Sequence, residues 1–257
     1  METAGHELDC FVVKPGAGTS ERWSVPIEAP LTLLVNGRRW VTLMCTPTAR
    51  RQLALGFAYF AGLFEKLREV LILEECLDDP NQLNMRLQRE DVSLPSEPLL
   101  TSGCGQGLAF GQNWPSESAP PAEEVSPSQV WQLMRELQEG SVIHRSVGGT
   151  HASALSDGKR LLALYEDIGR HNTLDKLMGH SLLVGLDTTG LMLLTSGRVS
   201  SEMMYKAVRM RVSTVISRTT PTDLAVELAN RYAMTLAGYA RGHQITFFSD
   251  CRWRPNS

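Results

Sequence analysis

The chain has 257 residues, of which 42 % are hydrophobic and 21 % charged, and this is ordinary for a soluble globular protein with a sizeable core. Its formal net charge of −3 argues against a general binder of nucleic acid or of anionic membranes, because such domains are usually positively charged. The longest apolar run, residues 53–64, contains two glycines and is too short to span a bilayer. We expect neither a nucleic-acid partner nor a membrane.

The cysteines indicate a reducing compartment. There are five of them, at positions 10, 45, 76, 104 and 251, and no two form a CxxC pair. An odd and scattered set is typical of proteins that keep their thiols reduced. No charged segment followed by an apolar segment opens the sequence. The expectation is a cytoplasmic protein.

The first elements are predicted to be β structure. Residues 1–22 have no clear period and predict a frayed arm or an edge strand. Two apolar runs, residues 31–35 and 40–44, flank the dipeptide Asn36-Gly37, which favours the positive φ of a tight turn. The sequence therefore predicts a β-hairpin here.

A helix and two further strands follow the hairpin. Thr48 is the predicted N-cap of the helix, and Leu53 and Phe57 lie on its apolar face. Residues 70–77 and 83–87 read as strands on either side of a turn rich in Asp, Pro and Asn.

Cys104 has a different setting from the other cysteines. Glycines flank it on both sides, which leaves the backbone free and the sulfur uncrowded, as suits a thiol that has to meet partners from two directions. Cys45 lies in an apolar strand and is better read as a small buried hydrophobe. Residues 114–127 hold four prolines and have no period, so a linker is predicted there.

The second half of the chain alternates short strands with helices of about ten residues. Ser126, with Pro127 and Gln129, predicts the capped start of the first of these helices. Strands are predicted at 161–165, 191–194, 212–217, 235–239 and 244–248, and later helices at Thr173, at Ser201 and, capped by Thr220-Pro221, at Thr222. This alternation predicts a mixed, largely parallel sheet in three layers.

Ionisable residues follow two of these strands. Residues 166–172 carry two acids, Arg170 and His171 around one glycine, and residues 195–202 place Arg198 among small polar residues before a helix. Loops that leave the carboxyl ends of strands form the ligand crevice of α/β sheets, next to the N-terminal amides of the following helices. A binding site is therefore one reading of these loops, and a solvated turn is the other.

The sequence lacks the motifs of several enzyme classes. His151 is followed by Ala152-Ser153 where a zinc deaminase needs a glutamate, and no cysteine pair completes a metal shell, so no metal site is expected. The phosphate-binding GxxxxGK[ST] loop and the GxSxG elbow of hydrolases are also absent from the sequence.

Five ordered blocks from residue 148 onward carry a family resemblance, and two more lie near the N-terminus. The blocks are GGTHASAL, YEDIGRHNTLDKLMG, TSGRVSSEMMYKA, PTDLAVELA and TLAGYARG, preceded by VPIEAPLTLLVNG and LMCTPTARRQLALGF. Together they resemble the FdhD formate dehydrogenase accessory proteins, which are sulfur carriers for molybdenum cofactor. The resemblance implies a mixed α/β (α+β) protein with a cytidine deaminase-like three-layer domain behind a smaller N-terminal β-rich domain. We place the β-rich part at 1–113, the linker at 114–127 and the deaminase-like domain at 128–257.

The resemblance also implies a function. Cys104 would accept sulfur from a cysteine desulfurase and pass it to molybdenum cofactor, as bis-molybdopterin guanine dinucleotide, for formate dehydrogenase; a homodimer is expected. Family members usually have CxxC here, and this chain has Gly107 in place of the second cysteine. A cofactor-binding chaperone without sulfur transfer therefore stays the alternative. The implied cofactor-binding residues are Arg170, His171, Asn172, Ser196, Gly197 and Arg198, and the C-terminal Phe248, Ser249, Asp250, Cys251, Arg252 and Trp253.

Overall fold

A computed structural model of the protein describes residues 4–94, 114–121 and 125–249. Within these ranges it has twelve strands and six α-helices, so the fold is mixed α/β, as the sequence predicts. Cys104 lies outside the described residues, as do four predicted site residues at the C-terminus, Asp250, Cys251, Arg252 and Trp253.

The N-terminal residues form a two-stranded ribbon, where the sequence predicted a frayed arm or an edge strand. Strand β1 spans Gly5–Lys14 and strand β2 spans Ala17–Pro26, paired antiparallel along their whole length. Most side chains on both faces of this ribbon are exposed. With neither face buried, no alternation of apolar and polar residues marks the strands in the sequence.

A four-stranded sheet follows, with strand order β4-β3-β6-β5. The strands are β3 (Ala29–Val35), β4 (Arg38–Cys45), β5 (Val70–Glu75) and β6 (Gln82–Leu87). The hairpin predicted at Asn36-Gly37 is confirmed, and φ is 49° at Asn36 and 76° at Gly37. Buried leucines of β3, β4 and β6 pack against the next helix, α1 (Arg50–Phe60).

Thr48 does not cap helix α1, contrary to the prediction. The N-cap position is Ala49, which has a left-handed backbone and no side-chain cap. The Thr48 hydroxyl instead lies 3.4 Å from the ammonium group of Lys176, which donates to it. The Thr48 hydroxyl therefore makes a tertiary contact in place of a local helix cap.

A six-stranded sheet forms the larger half of the molecule, in the order β12-β11-β10-β9-β7-β8. Its strands are β7 (His151–Ser156), β8 (Leu161–Asp167), β9 (Met192–Thr195), β10 (Thr214–Ser217), β11 (Thr235–Arg241) and β12 (Gln244–Ser249). Strands β8 to β11 run in one direction, and β7 and β12 run against them. Only β9-β10 and β10-β11 pair in parallel among these strands, so the largely parallel prediction was wrong. Short turns join β7 to β8 and β11 to β12, and such turns cannot connect parallel neighbours.

Helices cover both faces of this sheet, which gives the three layers expected from the sequence. Helix α2 (Pro127–Gly140) packs on one face, against the small side chains of Ala154 and Ala237. Helices α4 (Arg170–Val184), α5 (Ser201–Arg209) and α6 (Asp223–Arg231) share the apolar cluster on the other face. The predicted cap at Ser126 is confirmed, but Thr222 caps α6 in place of Thr220-Pro221. The short helix α3 (Val142–Val147) was not predicted.

Helices α1 and α4 hold the two larger sheets together. They cross at two glycines: a Cβ at Gly56 would lie 1.8 Å from the Asp175 carbonyl oxygen, and one at Gly179 would lie 1.9 Å from that of Gln52. The predicted linker also packs on the body of the protein, because Trp114 stacks on Tyr232 at 5.8 Å. The cytidine deaminase likeness and the domain boundaries stay predictions. In the described ranges, no helix has both the length and the apolar character needed to cross a membrane.

Candidate functional site

Three helices begin at one edge of the six-stranded sheet. Strands β8, β9 and β10 all end at this edge, and α4, α5 and α6 start just after them with N-caps Gly169, Ser200 and Thr222. The free N–H groups and the dipole of a helix N-terminus favour a negative charge. The edge therefore presents three helix N-termini, each of which favours an anion.

Two arginines lie at this edge. Arg170 is the first residue of α4, and Arg198 is exposed in the loop between β9 and α5. Gly197 precedes Arg198 in the chain and packs against Arg170 and His151. A Cβ on this glycine would be 3.1 Å from the Arg170 Cβ and 3.3 Å from the His151 Nδ1. Three of the predicted residues, Arg170, Gly197 and Arg198, are thus brought together. A larger residue at position 197 would crowd both Arg170 and His151.

His151 joins this group, although the sequence raised only the role of a zinc ligand for it. It begins β7, which runs against β8, so its backbone lies opposite Asp167 at the same edge. Burial, and then the nearby charge of Arg170, lower its pKa. No sequence signal places His151 at this edge, because sequence periodicity does not reveal that β7 pairs antiparallel with β8.

His171 is a neutral hydrogen-bonding group at this edge. Its Nε2 lies 3.3 Å from the Ser200 hydroxyl and 3.5 Å from a carboxylate oxygen of Glu202. Burial, followed by the charges of Lys206 and Arg170, lowers the pKa of His171 to about 2. The imidazole can therefore accept or donate a hydrogen bond near neutral pH without adding charge.

Asn172 and Ser196 have structural partners. The buried Asn172 amide donates to the Met44 carbonyl at 2.9 Å and to Asp167 at 2.8 Å, so it joins α4 to the N-terminal sheet. The Ser196 hydroxyl accepts from the amide of Ala152 at 2.9 Å. Both side chains fix the backbone that presents the arginines.

Two of the predicted C-terminal residues, Phe248 and Ser249, lie in the described part of the chain, at the end of β12. Ser249 is buried, and its hydroxyl bonds to the backbone of Leu236 and Met234. Phe248 packs on the α4–α6 face of the sheet, with its ring beside Gly238. Of the two, only Phe248 approaches the loops at the edge.

A cavity of about 810 Å³ lies at the opposite edge of the sheet, lined by residues that include Tyr59, Trp114, Arg209 and Arg211. Its arginines are engaged: Arg209 lies 5.0 Å from the Tyr59 ring, and Arg211 pairs with Glu117 at 3.1 Å. The carboxyl edge is the stronger candidate for an anion site because helix N-termini lie beside its arginines. Within the described residues, no group of three or more His, Cys, Asp or Glu side chains is arranged to hold a metal ion.

Fold and site together define a class: a three-layer α/β protein whose candidate site, at the carboxyl edge of its sheet, suits an anionic ligand. The chain belongs to the FdhD/NarQ family, whose model matches residues 26–253.

Known proteins resemble the chain over most of its length. It is 34 % identical over 227 residues to the sulfur carrier protein FdhD of Bacillus subtilis (strain 168), covering 86 % of this chain and 87 % of that protein. It is also 34 % identical over 228 residues to the sulfur carrier protein FdhD of Staphylococcus aureus (strain MRSA252), covering 86 % of each. A crystal structure from Desulfotalea psychrophila, described as a candidate formate dehydrogenase accessory protein, superposes with a TM-score of 0.80 at 26 % identity, over 96 % of this chain and 98 % of that one.

Proposed function

We propose that this protein is a cytoplasmic sulfur carrier that takes sulfur from a cysteine desulfurase and gives it to molybdenum cofactor destined for formate dehydrogenase. The observation that carries the proposal is the meeting of Arg170 and Arg198 with three helix N-termini, in a member of the FdhD/NarQ family. The names of the relatives supply the sulfur-carrying role.

The proposed cargo is bis-molybdopterin guanine dinucleotide, which carries several phosphate groups. A guanidinium fork matches phosphate oxygens, and backbone amides at helix N-termini accept the same anions. The neutral His171 adds a hydrogen-bonding group beside them. In this arrangement Arg170 and Arg198 hold the phosphates, while Asn172 and Ser196 keep their loops in place.

The sulfur step needs one cysteine. The Cys104 thiolate attacks the terminal sulfur of a desulfurase persulfide; the new S–S bond leaves a persulfide on Cys104, and the desulfurase cysteine departs as a thiolate. A second attack by an acceptor transfers the same sulfur atom onward and restores the Cys104 thiolate. The glycine at position 107 leaves this one-cysteine route intact.

Intact-mass measurement tests the carrier. After incubation with a cysteine desulfurase and cysteine, the protein should gain the mass of one sulfur atom, and Cys104→Ala should lose that adduct. Cys10→Ser is the matched control, since Cys10 is half-buried on the N-terminal ribbon, and it should keep the adduct. An adduct that survives Cys104→Ala contradicts the assignment of the carrier cysteine.

A second candidate is a chaperone that binds the cofactor and transfers no sulfur. The observation that favours it is Gly107, which stands where the family usually has a second cysteine. The mass measurement together with a guanine-nucleotide titration separates the two, because tight nucleotide binding without any sulfur adduct supports the chaperone.

A further inference from the structure

The cavity of about 810 Å³ at the opposite edge of the sheet is lined by three separate parts of the chain. The end of α1 and the loop after it contribute Tyr59 and Lys66, and the end of α5 contributes Val208 and Arg209. The third part is the segment 114–119, which follows the predicted linker's start. A volume of this size lies in the range of ligand-binding pockets.

Arg209 is a half-buried cation that no carboxylate neutralises. Its guanidinium lies 5.0 Å from the centre of the Tyr59 ring, and it donates to the Tyr59 carbonyl at 3.3 Å and to the Tyr205 hydroxyl at 3.4 Å. Among the described residues, no carboxylate lies within ion-pair distance of Arg209 or of the exposed Lys66. A partly desolvated charge that is already held in place favours an anionic partner, because little side-chain entropy is lost when the pair forms.

The other charges of the cavity leave a positive balance. Arg211 pairs with Glu117 at 3.1 Å, and Glu65 is the second carboxylate in the lining. With Lys66 and Arg209, the lining residues therefore include three cations and two carboxylates. Charge complementarity across an interface thus favours a partner that is acidic.

The segment 114–119 offers backbone groups as well as a ring. It is fixed to the body of the protein, because the Ala119 amide donates to the Tyr232 carbonyl at 2.8 Å. Within the described part of the chain, the amides of Ser116, Glu117 and Ser118 have no hydrogen-bond partner. Free backbone amides beside an aromatic side chain suit an extended polypeptide, which supplies carbonyl groups and side chains together.

The cavity lies where the part of the chain that carries Cys104 joins the described structure. Cys104 is ten residues from Leu94 and ten from Trp114. Leu94 and Tyr59 pack against the same apolar cluster, and Trp114 lines the cavity together with Tyr59. Ten residues span at most about 36 Å. A partner that is held in the cavity is therefore held within reach of Cys104.

We propose that this cavity is the docking site for the sulfur donor of the proposed function, which inserts an acidic, extended segment between Tyr59 and Trp114. A carboxylate of that segment pairs with Arg209, and a further acidic group lies against Lys66. The inference rests on the proposed function for the transfer itself and adds the surface on which donor and carrier meet. Donor and cargo then bind at opposite edges of the sheet.

Binding and sulfur transfer with a purified cysteine desulfurase test the docking site. Arg209→Gln removes the charge and keeps hydrogen-bond donors, and it should raise the Kd for the desulfurase about tenfold. Lys66→Glu should raise the Kd about fivefold at low salt and less at high salt, which screens exposed charges. Both variants should gain sulfur more slowly by the same factors when the desulfurase is limiting. Alkylation of Cys104 by iodoacetamide should keep the parental rate, because the thiol itself is unchanged.

Lys14→Glu is the matched control, because it makes the same charge change at an exposed position near the tip of the N-terminal ribbon. It should bind the desulfurase like the parent protein. Pyrophosphate affinity should be unchanged in all three variants. Lys66 is exposed, so its variant keeps the test valid even if Arg209→Gln fails to fold.

Three outcomes would overturn the docking site. If the parent gains sulfur and both variants bind the desulfurase and gain sulfur at the parental rate, the docking site is wrong and the proposed function stands. If Arg209→Gln and Lys66→Glu weaken pyrophosphate binding and leave desulfurase binding unchanged, the cavity is a phosphate site. If the parent neither binds the desulfurase nor gains sulfur, the proposed function fails and the docking site with it.

Discussion

His171 shows how burial changes what a histidine can do. A sequence search identifies it as an ionisable residue beside an arginine, but in the fold it carries no charge near neutral pH. Glu166 and Asp167, from the same segment, are engaged in contacts within the protein. The Glu166 carboxylate accepts hydrogen bonds from the backbone amides of Ile143 and His144 at the start of α3. Asp167 forms an ion pair with Lys176.

The lowered pKa of His171 has a consequence for acid stability. Below its ordinary value of 6.5, the unfolded chain binds a proton at this residue that the folded protein does not bind until about pH 2. Stability from this group is therefore complete above pH 6.5 and is lost as the pH falls, by at most about 1.4 kcal/mol per pH unit. We expect His171→Gln to lose less stability than the parent between pH 6.5 and 4.5, in urea unfolding at each pH.

The comparison between variant and parent isolates this residue. Burial raises the pKa of Asp175, and its titration acts in the opposite sense, but it is present in both proteins. Parallel curves of unfolding free energy against pH would show that His171 titrates alike in the folded and unfolded chains.

At the scale of elements, the crossing of α1 and α4 is the tightest contact. Neither helix can carry a side chain at the crossing, because the would-be methyl groups meet backbone atoms that cannot rotate away. From the sequence alone these glycines would be expected to destabilise their helices, since glycine inside a helix usually lowers helix stability. Here close approach of the backbones compensates for that cost.

Gly179→Ala should therefore destabilise the protein despite the better helix propensity of alanine. We expect a loss of about 1–3 kcal/mol or more in denaturant unfolding, the range for overpacked cores. Gly140→Ala is the matched control in helix α2, because its methyl group would meet only the flexible end of the Leu164 side chain. It should be neutral or slightly stabilising, and equal losses in the two variants would contradict the role given to the crossing.

At the scale of the whole molecule, a buried ion pair lies where the two larger sheets meet. The Lys176 ammonium lies 2.7 Å from the Asp167 carboxylate, and neither side chain is exposed. The amide of Thr46, just after β4, donates to the same carboxylate at 3.2 Å. Lys176 also donates to the Thr46 carbonyl at 3.4 Å, so the pair binds the N-terminal sheet to the strand that precedes the site.

Removal of one partner should be costly. Lys176→Met leaves the Asp167 charge buried without its counterion, and we expect a loss of about 3–5 kcal/mol in thermal or denaturant unfolding. The double variant Lys176→Met/Asp167→Asn removes both charges and keeps an oxygen acceptor for the amide of Thr46. It should recover most of the stability, and a double variant as unstable as the single one would show that the charges themselves stabilise the junction.

Elements with strong local signals, and the family, could be predicted from the amino-acid sequence. The Asn36-Gly37 hairpin and the Ser126 cap depend on neighbouring residues, so they are readable without a fold. The antiparallel positions of β7 and β12, the misassigned caps of α1 and α6 and the roles of Asn172 and Ser196 depend on partners distant in the chain. Local propensity carries no information about such partners, so the folded structure was needed to show which of the predicted polar residues lie at the carboxyl edge of the sheet and which hold the protein together.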